Sequence, residues 1–227
     1  MKKGLFLIGV LLLASCSGKP AQMLPSSQSS VIDWVDFVNW NDTTYTANYE
    51  TNEMDKVWKT ERVLGEVTYT LDGHAGANHT SKNGDAAYLP KGTKLYEIKG
   101  YDPAFRILAN DKIYEVSEAG KAEKVEDFLD IEGKVNRVIL QSEEDLSFIG
   151  EFSEVHTKEF IDELLLLPYE EAGRTTEGKR VFFGIELTDG SMTRSLYWPE
   201  TGYINYGTTA SERLKEIFEA EMKASNY

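Results

Sequence analysis

Three short polar turns constrain the fold of this chain more than any other feature: Asn41-Asp42, Asn110-Asp111-Lys112 and Asp189-Gly190. Each sits between runs rich in β-branched and aromatic residues. Asn, Asp and Gly suit the tight turn of a hairpin, so each turn predicts two antiparallel strands. The first joins Val35–Trp40 to Thr43–Tyr49, where Tyr45, Ala47 and Tyr49 share a face. The second joins Phe105–Ala109 to Ile113–Val116, and the third joins Arg180–Leu187 to Ser191–Trp198. Further β-prone runs cover Val57–Leu64, Glu66–Leu71, Ala86–Leu89 and Thr93–Ile98, with turns at Pro90-Lys91-Gly92 and Gly100-Tyr101-Asp102-Pro103.

Residues 119–133 are charged and irregular, and the pattern changes beyond them. Val135–Leu140 and Phe148–Phe152 read as strands around Ser142-Glu143-Glu144-Asp145. Thr157 is placed to cap a helix that carries Phe160, Ile161, Leu164, Leu165 and Leu167 and stops at Pro168. A short strand follows Gly202, and Thr209-Ala210-Ser211-Glu212 reads as a capping box before a stripe of Leu214, Ile217, Phe218 and Met222. The expected fold is α+β: a β-rich half over 31–133, then a ββαβββα-type half over 134–227.

The N-terminus has a different character. Met1-Lys2-Lys3 is basic, Gly4–Ala14 is apolar, and Ser15 is small, which is the pattern of an export signal. Such an apolar run rises only ~16 Å as a helix, about half of a bilayer core. The single cysteine, Cys16, follows at once, and Leu13-Ala14-Ser15-Cys16 resembles the bacterial lipobox, with Ser15 where that motif prefers Gly or Ala. The resemblance implies cleavage after residue 15, a diacylglycerol on the Cys16 sulfur and acyl chains such as palmitate in the membrane. A lone cysteine leaves no intrachain disulfide to expect. Residues 16–30 then form a Ser/Pro-rich tether, whose fourteen residues after Cys16 reach ~45 Å at full extension.

A longer stretch carries a second resemblance. Lys82-Asn83-Gly84-Asp85-Ala86, Leu89-Pro90-Lys91-Gly92-Thr93 and the run from Tyr96 to Arg106 are similar to a segment of an uncharacterised lipoprotein family of Gram-positive, Bacillus-group bacteria. Trp40-Asn41, Tyr45 and the helical part over 134–222 fit the same family. The likeness spans most of the mature chain and is sharpest over 82–106. It implies a location and an architecture, and none of its motifs is a catalytic signature.

Charge and motifs narrow the function classes. The formal net charge is −14, and cleavage would remove Lys2 and Lys3 as well, so nucleic acid is not an expected partner. Gly-x-Ser-x-Gly, His-Glu-x-x-His, Walker and Asp-x-Asp-x-Asp-Gly patterns do not occur. His74 and His79 share a polar loop with Asp72 and Asp85, and these four are the weak candidates for a metal; a solvated loop is the plainer expectation, so no metal or other cofactor is assigned. His156 precedes a helix as a surface residue. Aromatic residues are expected mostly in sheet core, with Tyr101 in its turn and Trp198 beside Pro199 as binding candidates that keep an exposed face. The expectation is a lipid-anchored protein of the cell membrane, facing the extracytoplasmic side. Membrane lipid is its partner through acylated Cys16, and an envelope protein or glycan is the candidate partner of a non-catalytic binding module. The alternatives are an envelope-acting hydrolase with carboxylate catalysis, or a metal-binding lipoprotein using the 72–85 loop.

Overall fold

The computed structural model describes residues 34–76, 78–170 and 176–227. The expected signal segment, Cys16 and the expected tether lie outside the described residues.

The N-terminal half forms β1 (Phe37–Trp40), β2 (Thr43–Ala47), a single helical turn α1 (Tyr49–Asn52), β3 (Thr60–Glu66), β4 (Tyr69–Thr70), β5 (Asp85–Ala86), β6 (Lys94–Ile98), β7 (Arg106–Ala109) and β8 (Lys112–Ala119). These strands make one eight-stranded sheet in the order β3-β6-β7-β8-β2-β1-β5-β4. All neighbours run antiparallel except β4 and β5. The two hairpin turns read from the sequence have the backbone that such turns require. Asn41 and Asp42 lie at φ 51° and 61°, and Asn110 and Asp111 at φ 50° and 60°, both central residues left-handed as in a type I′ turn. Tyr45 and Ala47 are buried as the alternation predicts, but Tyr49 leaves the strand to begin α1 and is exposed. Gly65 in β3 is a packing requirement: a Cβ there would stand 2.3 Å from the ring of Trp40.

The C-terminal half forms β9 (Val135–Gln141), β10 (Phe148–Glu151), α2 (Glu154–Leu166), β11 (Val181–Leu187), β12 (Met192–Trp198), β13 (Tyr203–Ile204), β14 (Thr208–Thr209) and α3 (Glu212–Ala224). The strands make a second antiparallel sheet in the order β10-β9-β11-β12-β13-β14. The architecture is therefore α+β and β-rich, with one more short strand, β14, than the expected ββαβββα order. Both helix starts differ from expectation. Ser153, not Thr157, caps α2 by accepting from the His156 N–H, and Ser211, not Thr209, caps α3 by accepting from the Leu214 N–H. Ser153 and Ser211 stand immediately before the first helical residue, where a hydroxyl reaches the free N–H groups of the first turn, while Thr157 lies inside α2 and Thr209 pairs with Tyr203 in the sheet.

Burial explains the second half. Val181, Phe183, Ile185 and Leu187 alternate inward along β11 and meet Phe160 and Leu164 of α2 and Leu214, Ile217 and Phe218 of α3. Phe160, Phe183 and Phe218 pack edge to face with centroids 5.3–5.6 Å apart, and Tyr197 stacks on Phe218 at 4.0 Å. Phe105 and Ala119 of the first half belong to the same apolar cluster, and Ile32–Tyr227 forms one compact unit. Among the described residues no helix is long and apolar enough to cross a membrane.

Candidate functional site

β7 has all four residues buried, which an antiparallel strand shows only when both faces are covered. Ile107 and Ala109 face one core, while Arg106 and Leu108 face the other way. Arg106 is therefore carried into the interior, where it is fully buried. Directly across the hairpin its register partner is Glu115, and the guanidinium donates to that carboxylate. A second donation reaches Ser191 Oγ at 2.8 Å, on the far sheet. Arg106 Nε has no hydrogen-bond partner among the described residues. The guanidinium instead lies over the rings of Tyr101 and Phe105, at 4.4 and 4.3 Å, so cation–π attraction supplements its hydrogen bonds.

Ser191 leads on to Asp189, in the turn between β11 and β12. Asp189 accepts from the Ser191 hydroxyl at 2.6 Å and the Ser191 N–H at 2.9 Å, and from the Tyr101 hydroxyl at 2.8 Å; Lys56 Nζ stands 3.2 Å away. Partial burial pushes this carboxyl up, but the bonds from Ser191, Tyr101 and Lys56 outweigh it and hold the pKa at about 2. Tyr101 moves the other way, to about 12, chiefly by burial. Tyr101, expected to show a binding face, is thus half-buried and bonded into the junction of the two sheets.

Beside this junction opens a cleft of ≈ 390 Å³. Its first-sheet wall comes from Ala47 of β2, Val116 and Ser117 of β8, and Asn48–Glu50; its second wall comes from Thr193 and Arg194 of β12 with Asn205 and Tyr206. Glu115 reaches into it with a side chain 11% exposed. Burial raises the Glu115 pKa, and Arg106 first, then Asn48 and Thr193, partly offset that rise. Thr193 Oγ1 and the buried Tyr206 hydroxyl meet at 3.3 Å. Arg194 is engaged on two sides: it donates to Gln141 Oε1 at 2.9 Å and pairs with Glu50. Tyr49, which also lines the cleft, is 62% exposed. Each charged lining group thus has a partner of opposite sign within the protein.

β13 pairs with β12 only at Tyr197 and Trp198, so the first part of β12 is an edge on that side. α1 covers its beginning. The Thr51 hydroxyl donates to the Met192 carbonyl and accepts from the Met192 N–H, both at 3.2 Å, and Asn48 Nδ2 donates to the same carbonyl at 2.7 Å. One buried threonine takes the place of a neighbouring strand.

The other residues singled out from the sequence lie elsewhere. His79 Nε2 meets Asp85 Oδ2 at 2.7 Å, and the Lys82 N–H donates to the same oxygen at 2.9 Å. His74 Nδ1 lies 2.8 Å from the carbonyl of Asp72. The His79 ring stacks on Tyr69 at 5.2 Å, and the His74 ring sits edge-on to it at 6.3 Å. The loop is tied down by these contacts, and among the described residues no three His, Cys, Asp or Glu side chains gather as a metal would need. His156 bonds Glu221 of α3 at 2.6 Å. Trp198 departs from expectation: it is 6% exposed and packs on Tyr203 at 5.5 Å, because β13 folds back over it. The residues that line the cleft, Glu115 above all, were not read from the sequence. Two-residue turn geometry could have found the Arg106–Glu115 pair, since these residues are equally distant from Asn110-Asp111.

No protein-family model, curated protein or solved structure matches the chain.

Proposed function

We propose that this protein is a lipid-anchored, extracytoplasmic lipoprotein whose folded part is a non-catalytic binding module, with the cleft beside Glu115 as its ligand site. The observation that carries the binding reading is the state of the charged groups there. Glu115 is held by Arg106, and Glu50 by Arg194, so the acids and bases hold each other in place. A general acid or nucleophile needs a group poised on the substrate, whereas a recognition site needs fixed polar surface. The lipobox-like sequence at Cys16 supports the anchor, and the acidic surface suits a protein partner better than a nucleic acid.

Two experiments test this. Cys16→Ser should abolish acyl labelling and release the protein from the membrane fraction; retention of either sinks the anchor. The purified full chain in detergent should show a raised melting temperature with one ligand of a panel of envelope sugars and peptides. A ligand at ~100 times its Kd adds ~2.7 kcal/mol. Turnover of any member of that panel, lost on Glu115→Gln, would replace the binding reading by the hydrolase.

A further inference from the structure

The cleft has a feature beyond its side chains. The Leu187 N–H donates to the Ser191 carbonyl at 2.8 Å and closes the β11–β12 hairpin. From that bond the antiparallel ladder alternates, so residues 193, 195 and 197 turn their peptide groups to β11. Residues 192, 194 and 196 turn theirs away from β11. Met192 is covered by Thr51 and Asn48, and the Leu196 carbonyl accepts from the Asn205 N–H at 2.9 Å. Arg194 lies between them, on the wall of the cleft. Among the described residues no strand pairs with it on the side away from β11, so its N–H and C=O lie at a one-residue gap in the edge of the sheet.

We propose that an extended, basic peptide segment binds in this cleft, with one of its residues pairing through its own N–H and C=O to Arg194. This rests on the binding reading above and names its partner class. Backbone groups left at a sheet edge are a template for a further strand. The geometry also selects among amide ligands. A residue in extended conformation presents its N–H and C=O on the same side. A single trans amide, such as an acetamido group on a sugar, points them in opposite directions and satisfies only one. The cleft volume falls in the range that encloses a short ligand segment. Glu50 and Glu115 line the cleft already paired, with Arg194 and Arg106, so the bias towards a cation comes from the net charge of −14 over the whole chain. Lys or Arg side chains are therefore drawn in and acidic ones repelled. Tyr49, an exposed lining residue, supplies an aromatic ring to which such a cation is attracted.

Amide hydrogen exchange and chemical shifts of the full chain in detergent micelles test this. Without ligand, the Arg194 amide should exchange faster than those of Thr193 and Ser195; equal protection at all three would overturn the proposal before any ligand is added. The probe is acetyl-Ala-Lys-Ala-Lys-Ala-amide at millimolar concentration. It should shift the Arg194 resonance and slow its exchange by roughly tenfold. The fully N-methylated peptide and the Glu-for-Lys peptide should not. Binding of chitotriose at the cleft, with none of the Lys peptide, overturns the peptide class and leaves the binding reading standing. Binding of the N-methylated peptide equal to the parent overturns the backbone pairing. Silence of the cleft to every probe overturns the proposal and the binding reading together.

Discussion

Arg106 and Glu115 are register partners across the turn from β7 to β8, and their ion pair lies where the first sheet meets Ser191 of the second. The pair is local in sequence, yet it joins distant parts of the chain. Removing one partner leaves the other charge buried without compensation, which costs ~3–5 kcal/mol. Arg106→Met should therefore lower the denaturation midpoint severely. Arg106→Met with Glu115→Leu should recover much of the loss, and urea titrations of the two proteins would show it. Equal losses in both would mean that Glu115 contributes little.

Asp189 sets an acid limit. Its folded pKa of about 2 lies below the ordinary aspartate value of 3.8, so its contribution is present above pH ~4 and is lost as pH falls towards 2. The shift corresponds to about 1–2 kcal/mol after screening by solvent at this partly exposed group. Glu115 has the opposite sign. Its raised pKa makes it a cost that grows as pH rises above its unfolded value. Melting curves between pH 5 and 2 should fall less steeply for Asp189→Asn than for the parent protein. Identical slopes would show that the Lys56, Tyr101 and Ser191 contacts do not act together on this carboxyl.

The Thr51 hydroxyl bonds both peptide groups of Met192. Thr51→Val keeps the shape and removes both bonds, so a loss of about 1–3 kcal/mol is expected. Amide exchange at Met192 should accelerate in the variant, while Ile185 and Thr193, which pair with each other, stay protected.

Asp111 holds φ 60° in a turn whose second central position suits glycine best. Asp111→Gly should leave the protein as stable or raise it by up to ~1 kcal/mol. Asp111→Val, β-branched in the left-handed region, should cost ~1–2 kcal/mol. Thermal denaturation of the pair reads the difference directly, and a ranking of Val above Gly would contradict the turn.

Legibility followed the range of the physics. The hairpins at 41–42, 110–111 and 189–190 were readable because turn chemistry acts over four residues. The apolar stripes of α2 and α3 were readable because they repeat every turn. The caps were not, since Ser153 and Thr157, or Thr209 and Ser211, are equal as local hydrogen-bond acceptors and the pattern does not say which of them directly precedes the first helical turn. Trp198 sounded exposed beside Pro199, but β13 returns over it. The cleft was the least legible part. Glu50, Glu115 and Arg194 come from three segments brought together by sheet packing, and isolated charges in a sequence with 38 acidic residues carry no signal.

The position of β1 has a mechanical consequence. It is the first described strand, yet it lies inside its sheet, with β2 on one side and β5 on the other. A load arriving along the chain ahead of Phe37 cannot peel a strand from a free border. It must break the bonds to both neighbours together, so the folded part is built to resist traction at the point where the preceding chain enters it.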